Sequence, residues 1–322
     1  METRVLGRSG LRVSALSLGT MNFGSDWHGI GALDDKAASS LLDLALERGV
    51  NLIDTADIYG RGAAEETLGR LLKGRRRDKV LLASKVLGLM TPSDPSTGGL
   101  SARWIERALE GSLRRLRTDR LDLYMPHGWD PKTPLEETMT ALDRAVKQGK
   151  VRALGVSNFS GDQLSAAASL GGGGGRARID FDQVQYSLAW RAPEIDVVPV
   201  AAREGVSLAA WSPLAGGLLS GKYASPRASG RRAQADAFPY IPAAAGAAVV
   251  SVLTRVAELE GVTPAQAALG WLLSKPAVAT AVVGARDAAQ LAETLASRPL
   301  GARGAALLDR ASAAAGGMGL KA

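Results

Sequence analysis

Short apolar runs and amphipathic stretches alternate along the chain almost without a break. An opening hairpin pattern, "RVLGRSGLRVS" (4–14), turns at Ser9-Gly10. Apolar runs that read as strands follow at 15–21, 51–56, 80–86, 121–127, 151–158, 181–186, 207–214 and 280–285. Helical patterns lie between them. Ile105, Ala108, Leu109, Ser112, Leu113 and Leu116 recur at the spacing of one buried helix stripe. Thr133-Pro134-Leu135-Glu136 and Thr263-Pro264-Ala265-Gln266 each offer a capping hydroxyl, a proline at the first helical position and a side chain able to reach back; Ser160-Gly161-Asp162-Gln163 repeats the cap. Eight strand–helix units in 322 residues predict an α/β fold. The expected form is a single (β/α)8 TIM barrel over residues 1–322, its N-terminal β-hairpin closing the bottom. A doubly wound sheet would want a glycine fingerprint opening a helix after its first strand. "LGTMNFGSD" (18–26) does not match G-x-G-x-x-G, and the first helix starts only near Asp34.

Composition narrows the picture. Hydrophobic residues make up 46% and charged residues 22%, enough for a large core and too apolar for global disorder. Without cysteine, disulfides, thiolate metal sites and cysteine nucleophiles are excluded. The start, "METRVLGRSG", has no apolar signal core, and "AAAGAAVVSVL" (243–253) is too short to span a bilayer, so a cytoplasmic protein without membrane association is expected. The net charge of +7 comes from interleaved charges; clusters such as "RRLRTDR" and "GRRRD" read as solvated helix ends rather than a nucleic-acid surface. "LGGGGGRAR" (170–178) reads as a loop closing a helix. No heptad seam speaks for assembly, so the oligomeric state stays open.

In such a barrel alternate strand residues point inward and chemistry gathers at the C-terminal strand ends. There the second strand carries Asp54, the third Lys85 and the fourth His127, with Tyr59 just past the second. Taken singly, each is a turn, snorkelling or structural residue. Together they describe one mouth. A tyrosine hydroxyl titrates near pH 10 on its own, and a neighbouring ammonium favours its phenolate. A carboxylate keeps that ammonium charged and placed, and a neutral histidine can hold a carbonyl oxygen. The set makes a proton donor aimed at a carbonyl. Asp57 has no role in this arrangement and reads as a solvated or loop-bracing carboxylate.

"GVNLIDTADIYG" (49–60), "ASKV" (83–86), "LDLYMPH" (121–127), "GKVRALGVSNFS" (149–160), "WSPLAGGLLSGKY" (211–223) and "VVGARDAAQLAETL" (282–295) occur in this order across essentially the whole chain. In them the chain resembles the aldo-keto reductase superfamily. The resemblance implies a (β/α)8 reductase that uses NADPH without a dinucleotide-binding domain and without metal. It implies Tyr59 as general acid, Lys85 and Asp54 as the pair that tunes it, and His127 as the group orienting the carbonyl.

Cofactor residues follow. Ser157, Asn158 and Gln183 have the donors and acceptors a nicotinamide carboxamide needs; loop capping is the alternative. Trp211, by the family pattern, stacks on the nicotinamide, beside Gly19, Thr20 and Met21. "SPLAGGLLSGK" (212–222), with Ser212, Leu214, Gly216 and Lys222, supplies backbone N–H groups and charge for a pyrophosphate. In the segment opening at Gly284, Asp287 and Gln290 can cap the last helix, and Arg286 stands beside its N-terminus. That is the reason to expect NADPH over NADH. Gln290 and Glu293 share the face where the family contacts the adenine ribose; Thr294 stands where relatives often have Asn. The 222–243 segment is expected to cover the cofactor, with Arg231 or Arg232 near a phosphate, unless it is a disordered surface loop.

Substrate walls are expected from Met21, Phe23, Trp27, His28, Trp129 and the 87–100 loop, around a small-molecule carbonyl. Relatives frequently have Trp at the Met21 position, so that wall is expected to differ, and a bulkier residue at Gly128, so the mouth is expected to be roomier. Two other readings stand beside the NADPH-dependent aldehyde or ketone reductase. One is a cofactor-binding regulatory subunit resembling potassium-channel β subunits, from "SPLAGG" and "SGKY". The other is a sugar keto or enoyl reductase of a biosynthetic pathway.

Overall fold

The structure is a computed structural model that describes residues 1–221, 239 and 243–314. Its strands are β1 (Thr3–Val5), β2 (Arg12–Ser14), β3 (Leu16–Gly19), β4 (Leu52–Asp54), β5 (Leu81–Val86), β6 (Leu121–Pro126), β7 (Val151–Ser157), β8 (Ile179–Gln185), β9 (Ser207–Trp211) and β10 (Val278–Val283). β3 to β10 close into a barrel in chain order, every neighbour parallel, with β10 sealing against β3. The helices are α1 (Asp35–Glu47), α2 (Ala63–Leu71), α3 (Arg75–Asp78), α4 (Ala102–Leu116), α5 (Leu135–Lys147), α6 (Gly161–Leu170), α7 (Val197–Glu204), α8 (Ala243–Glu260), α9 (Pro264–Leu273), α10 (Ala288–Leu295) and α11 (Ala302–Ala314). This is the (β/α)8 barrel. Among the described residues no helix is long and apolar enough to cross a membrane.

Two apolar layers result from the period-2 pattern of the strands. Inside the barrel, Leu52, Ala83, Leu123, Met125, Ala153, Phe181, Ala209 and Ala279 meet Leu6 and Val13 of the β1–β2 hairpin, which closes the bottom. The hairpin is clamped there. The Arg4 guanidinium donates to the carbonyls of Leu273 and Val278, both at 2.8 Å, and the Gly7 N–H donates to Ser207 Oγ at 2.8 Å. Gly7 has φ +55°, and a Cβ there would stand 2.0 Å from the Asp180 carbonyl oxygen, so only glycine lets the turn seat. Outside the barrel, the opposite strand faces pack against the helices in one continuous core.

Ser160 and Thr263 form full capping boxes with Gln163 and Gln266, as their spacing predicts. Thr133 does not cap. Its hydroxyl donates to Asp130 Oδ2 at 2.8 Å, and α5 begins at Leu135 without a side-chain cap. That bond holds the side chain toward its own loop, and the residue at the N-cap position is Pro134. Nor is α10 the last helix. α11 follows it, anchored where Asp309 accepts from Lys275 Nζ at 2.6 Å and Trp271 Nε1 at 2.9 Å. Strands also end earlier than their apolar runs. β3 stops at Gly19 and β9 at Trp211, and the next residues turn to line the mouth.

The lumen is tightly filled at one point. A Cβ on Gly155 of β7 would lie 2.4 Å from the Phe181 ring of β8. Gly155→Ala should therefore destabilise the protein by about 1–3 kcal/mol through overpacking, and Phe181→Leu in the same chain should recover part of the loss. Urea unfolding followed by circular dichroism reads both.

Candidate active site

At the C-terminal ends of the barrel strands opens a cavity of about 510 Å³. That is the size of a small-molecule site. Asp54 is the last residue of β4, Lys85 the second last of β5, and His127 follows β6 directly. The register pairs Asp54 with Gly19 and Ala83, and Lys85 with Met125. With the lumen residues Leu52, Ala83 and Met125 fixing the phase, all three ionisable groups face the same mouth.

Tyr59 reaches that mouth on a turn of unusual backbone. The turn Tyr59–Gly62 places Gly60, Arg61 and Gly62 in succession at φ +54°, +49° and +100°. A Cβ on Gly60 would stand 1.9 Å from Ser25 Oγ. The chain can therefore reverse at Tyr59 and send its ring back over the barrel. Lys85 Nζ donates to Asp54 Oδ1 at 2.6 Å, to the Thr55 carbonyl at 2.8 Å and to the Tyr59 hydroxyl oxygen at 3.4 Å. The ammonium is fully buried behind Tyr59 and does not line the cavity. Because the tyrosine oxygen accepts from Lys85, its own O–H remains to be donated into the cavity. Burial pushes the Tyr59 hydroxyl above its usual value; Lys85 pulls against this and Asp54 adds to it. The ammonium therefore moderates a rise that burial dominates, rather than producing a net fall. Burial alone would lower Lys85, but Asp54 and Tyr59 outweigh it and hold the ammonium above the ordinary lysine value. His127 packs edge-on against the Tyr59 ring, centroids 5.7 Å apart. Burial, then Lys85, push its imidazole down to about 3, so it is a neutral hydrogen-bonding group at neutral pH.

The other polar residues of the mouth are tied to this group. Gln183 Nε2 donates to Asp54 Oδ2 at 2.7 Å, across the barrel from β8 to β4. Asp54 thus serves two partners. Ser157 Oγ donates to the Gln183 carbonyl at 2.8 Å. Asn158, at φ +57°, donates to the His127 carbonyl at 3.1 Å and accepts from Trp211 Nε1 at 2.7 Å. All line the cavity with Trp211. Asn158 is thus bonded on both sides, to the loop after β6 and to the end of β9, whereas the Gln183 amide reaches across the lumen.

On the opposite wall, Gly19, Thr20, Met21 and Gly284 line the cavity, and Thr20 Oγ1 donates to the Asp54 carbonyl at 3.0 Å. Ser212, Leu214 and Gly216 line it too. Ser212, Ala215, Gly216 and Gly217 all have positive φ, and the loop bonds to itself: the Ala215 N–H donates to the Ser212 carbonyl at 2.9 Å, the Gly216 N–H to Ser212 Oγ at 3.2 Å and the Gly217 N–H to the Leu214 carbonyl at 2.9 Å. Arg286 and Gln290 complete the wall. Asp287 Oδ1 accepts from the Gln290 N–H at 2.8 Å and Gln290 Oε1 from the Arg286 N–H at 2.9 Å, which caps α10. The helix end expected to take a phosphate thus already holds a carboxylate, and Arg286 is the cation left beside it. Lys222, Arg231 and Arg232 lie outside the described residues; of that segment Pro239 lines the cavity.

Several expected residues sit elsewhere. Phe23 is fully buried in the outer core, because the chain turns after Met21 and presents Asn22 to the cavity instead. Trp129 stacks edge-on against Phe159 at 5.3 Å and lies off the cavity, as does the 87–100 loop. Glu293 is exposed on α10, off the cavity, with its carbonyl accepting from Gln266 Nε2. Thr294 turns its hydroxyl onto the helix's own carbonyls at Gln290 and Leu291. Trp27 and His28 do line the mouth, with Ile30 and Ile58, which sequence reasoning missed. Ile58 was findable as the neighbour of Tyr59; Ile30 depends on the left-handed turn at His28 and Gly29, which no apolar pattern announces.

A family profile described as "Aldo/keto reductase family" matches residues 15–312. The chain is 39% identical over 307 residues to a Bacillus subtilis protein named "Uncharacterized oxidoreductase YrpG", covering 92% of this chain and 90% of that one. It is 35% identical over 313 residues to a rice protein, and 34% over 314 to an Arabidopsis thaliana protein, each named "Probable voltage-gated potassium channel subunit beta" and matched over 92% of this chain and 90% of theirs. The barrel and its mouth are thus those of an oxidoreductase-type (β/α)8 protein. The chain belongs to the aldo/keto reductase family.

The neutral state of His127 can be read directly. The chain has two histidines, so a His28→Asn variant leaves one imidazole to observe. Its NMR shifts should stay those of a neutral ring from about pH 5 to 8; a midpoint near 6.5 would contradict the geometry.

Proposed function

We propose that the protein reduces an aldehyde or ketone to an alcohol, with NADPH as hydride donor and Tyr59 as proton donor. One observation carries this reading. Tyr59 accepts from a buried, ion-paired Lys85, which leaves the phenolic proton pointing at a cavity also lined by a neutral His127. A carbonyl oxygen held between them finds a hydrogen-bond donor and a proton source. When the alkoxide forms, the proton passes from the Tyr59 hydroxyl to that oxygen, and the Lys85 ammonium stabilises the phenolate left behind.

The residues present fit the nucleotide. Bound there, it would supply a hydride to the carbonyl carbon. Trp211 offers a ring face, Gln183, Ser157 and Asn158 offer amide and hydroxyl groups, and Gly216 and Gly217, without side chains, leave room for a phosphate to approach the wall. Arg286 supports NADPH over NADH, since its guanidinium can pair with the extra phosphate of NADPH; Asp287 beside it works against that preference. The relatives named potassium channel β subunits support a second reading, a cofactor-binding regulatory subunit. The complete set of Asp54, Tyr59, Lys85 and His127 favours turnover.

A fluorescence titration with NADPH and with NADH tests the cofactor, followed by carbonyl-dependent oxidation of the one that binds. NADPH should quench tryptophan emission more tightly than NADH. Arg286→Ala should weaken NADPH by about 5- to 100-fold, the worth of one charge-assisted pair, and leave NADH nearly unchanged. Equal affinities unaltered by the substitution would remove the NADPH assignment. Binding without oxidation across a broad carbonyl panel would favour the regulatory reading.

A further inference from the structure

Two residues before Tyr59 lies a carboxyl group that the reaction above does not use. Past the end of β4 the chain still runs alongside β5. The Thr55 N–H donates to the Ala83 carbonyl at 3.0 Å, and the Asp57 N–H to the Lys85 carbonyl at 3.3 Å. The Asp57 side chain lies fully buried under the Tyr59 turn. Among the described residues no side chain donates a hydrogen bond to either carboxyl oxygen; the Ile58 backbone N–H is the neighbouring donor that favours the charged form, and the nearby Tyr124 hydroxyl has no partner among them either. The charges around Asp57 come from every side. Glu65 of α2 is the nearest acid in effect, Arg115 of α4 and Lys85 of β5 are the cations, and the hydroxyls of Tyr124 and Tyr59 complete the set. Both cations are already engaged. Arg115 pairs with Glu65 at 2.7 Å, Glu65 also accepts from Ser84 Oγ at 2.6 Å, and Lys85 pairs with Asp54 at 2.6 Å. A charged Asp57 would be a buried anion without a counter-ion of its own, which folded proteins avoid by keeping the proton.

We propose that Asp57 is held as a neutral carboxylic acid beneath the turn that carries Tyr59, that it acts on Tyr59 through charge as a positioning residue, and that release of its proton slows reduction. This rests on the reductase reading of the same site. Burial, reinforced by Glu65 and opposed by Arg115 and Lys85, pushes the Asp57 carboxyl up to about 8. Below that pH the group is neutral and the phenolate formed at Tyr59 meets only the Lys85–Asp54 pair. Above it, a negative charge stands close by and opposes the phenolate; Asp57 is one of the groups that raise the Tyr59 hydroxyl. Tyr59 becomes a poorer proton donor as the pH rises, although it has not itself titrated. The same proton is linked to stability. The folded value lies above the unfolded value of about 3.9, so the contribution is present at low pH and is lost as the pH rises through about 8.

The test compares the wild type with D57N, which keeps the shape and cannot ionise, and with D57L in case the amide disturbs folding. Infrared difference spectra between pH 6 and pH 9.5 should show the carbonyl stretch of a protonated carboxylic acid that both variants lack. The melting temperature of D57N relative to the wild type should rise over the same interval. With NADPH and 4-nitrobenzaldehyde as carbonyl probe, the wild-type reduction rate should fall with a midpoint near 8. In D57N that limb should move up by about one pH unit or more, while the rate at pH 6 stays within about twofold. Turnover with the same alkaline midpoint in all three proteins would overturn this proposal alone, as would absence of the wild-type acid band. Absence of turnover in the wild type, with the acid band present, would overturn the reductase reading and with it the kinetic half of the proposal.

Discussion

The upper half of the barrel is organised around one buried ion pair. Lys85 and Asp54 meet at 2.6 Å with side-chain exposures of 0% and 4%. Two charges in such a place are tolerated only if each is fully engaged, and removal of one partner from such a pair costs about 3–5 kcal/mol. The neighbours reflect that demand. Lys85 takes a third contact at the Thr55 carbonyl, Asp54 gives its second oxygen to Gln183, and Thr20 holds the Asp54 backbone carbonyl. Strands β3, β4, β5 and β8 are thus tied together at the mouth by groups that satisfy one pair. The Tyr59 hydroxyl presents this network to the cavity, beside Asp54, Gln183 and Thr20, which line it too.

Around that core the chemistry separates by depth. The charged pair lies below, hidden from the cavity on the lysine side. The neutral phenol and the neutral imidazole stand above it, where a substrate would come. A phenol in so dry a place is a weak acid, and the ammonium behind it only moderates this. A balance of that kind is sensitive to any further buried charge nearby, which is why the state of Asp57 matters to Tyr59 although the two side chains point to different layers. The opposite wall is built differently, from a loop with left-handed residues at Ser212, Ala215, Gly216 and Gly217 and from a capped helix start at Asp287.

Much of this could be read before any coordinates were known, for a plain reason. In a parallel barrel the side chains alternate strictly, so Asp54, Lys85 and His127 could be placed on the lumen side from Leu52, Ala83 and Met125 alone. The hairpin floor and the capping boxes at Ser160 and Thr263 were legible on equally local grounds. Legibility stopped where the chain left the ladder. Phe23 was expected in the cavity and Asn22 was not, because the chain turns at Met21 and Asn22 and carries Phe23 into the outer core. Trp129 found an aromatic partner in Phe159, a contact between loops more than twenty residues apart in sequence. Thr133 had a cap pattern, but its side chain is held toward its own loop by the bond it donates to Asp130. Gln183 donating to Asp54 across the barrel, and Asn158 bridging His127 to Trp211 between strand ends, are contacts that no spacing encodes. Glu293 shares a helix with Gln290, but that helix is rotated so that only Gln290 meets the cavity.

The account stands or falls on the tyrosine proton. Its most direct test is a single-turnover reduction of an aldehyde by NADPH-loaded Tyr59→Phe protein, set beside NADPH binding measured on the same sample. Loss of one hydroxyl should leave binding within about twofold and slow the reduction by about 100- to 10,000-fold, the usual worth of a positioned general acid. A Tyr59→Phe protein that reduces the aldehyde at the wild-type rate would contradict the account and send the search for a proton donor elsewhere in the mouth.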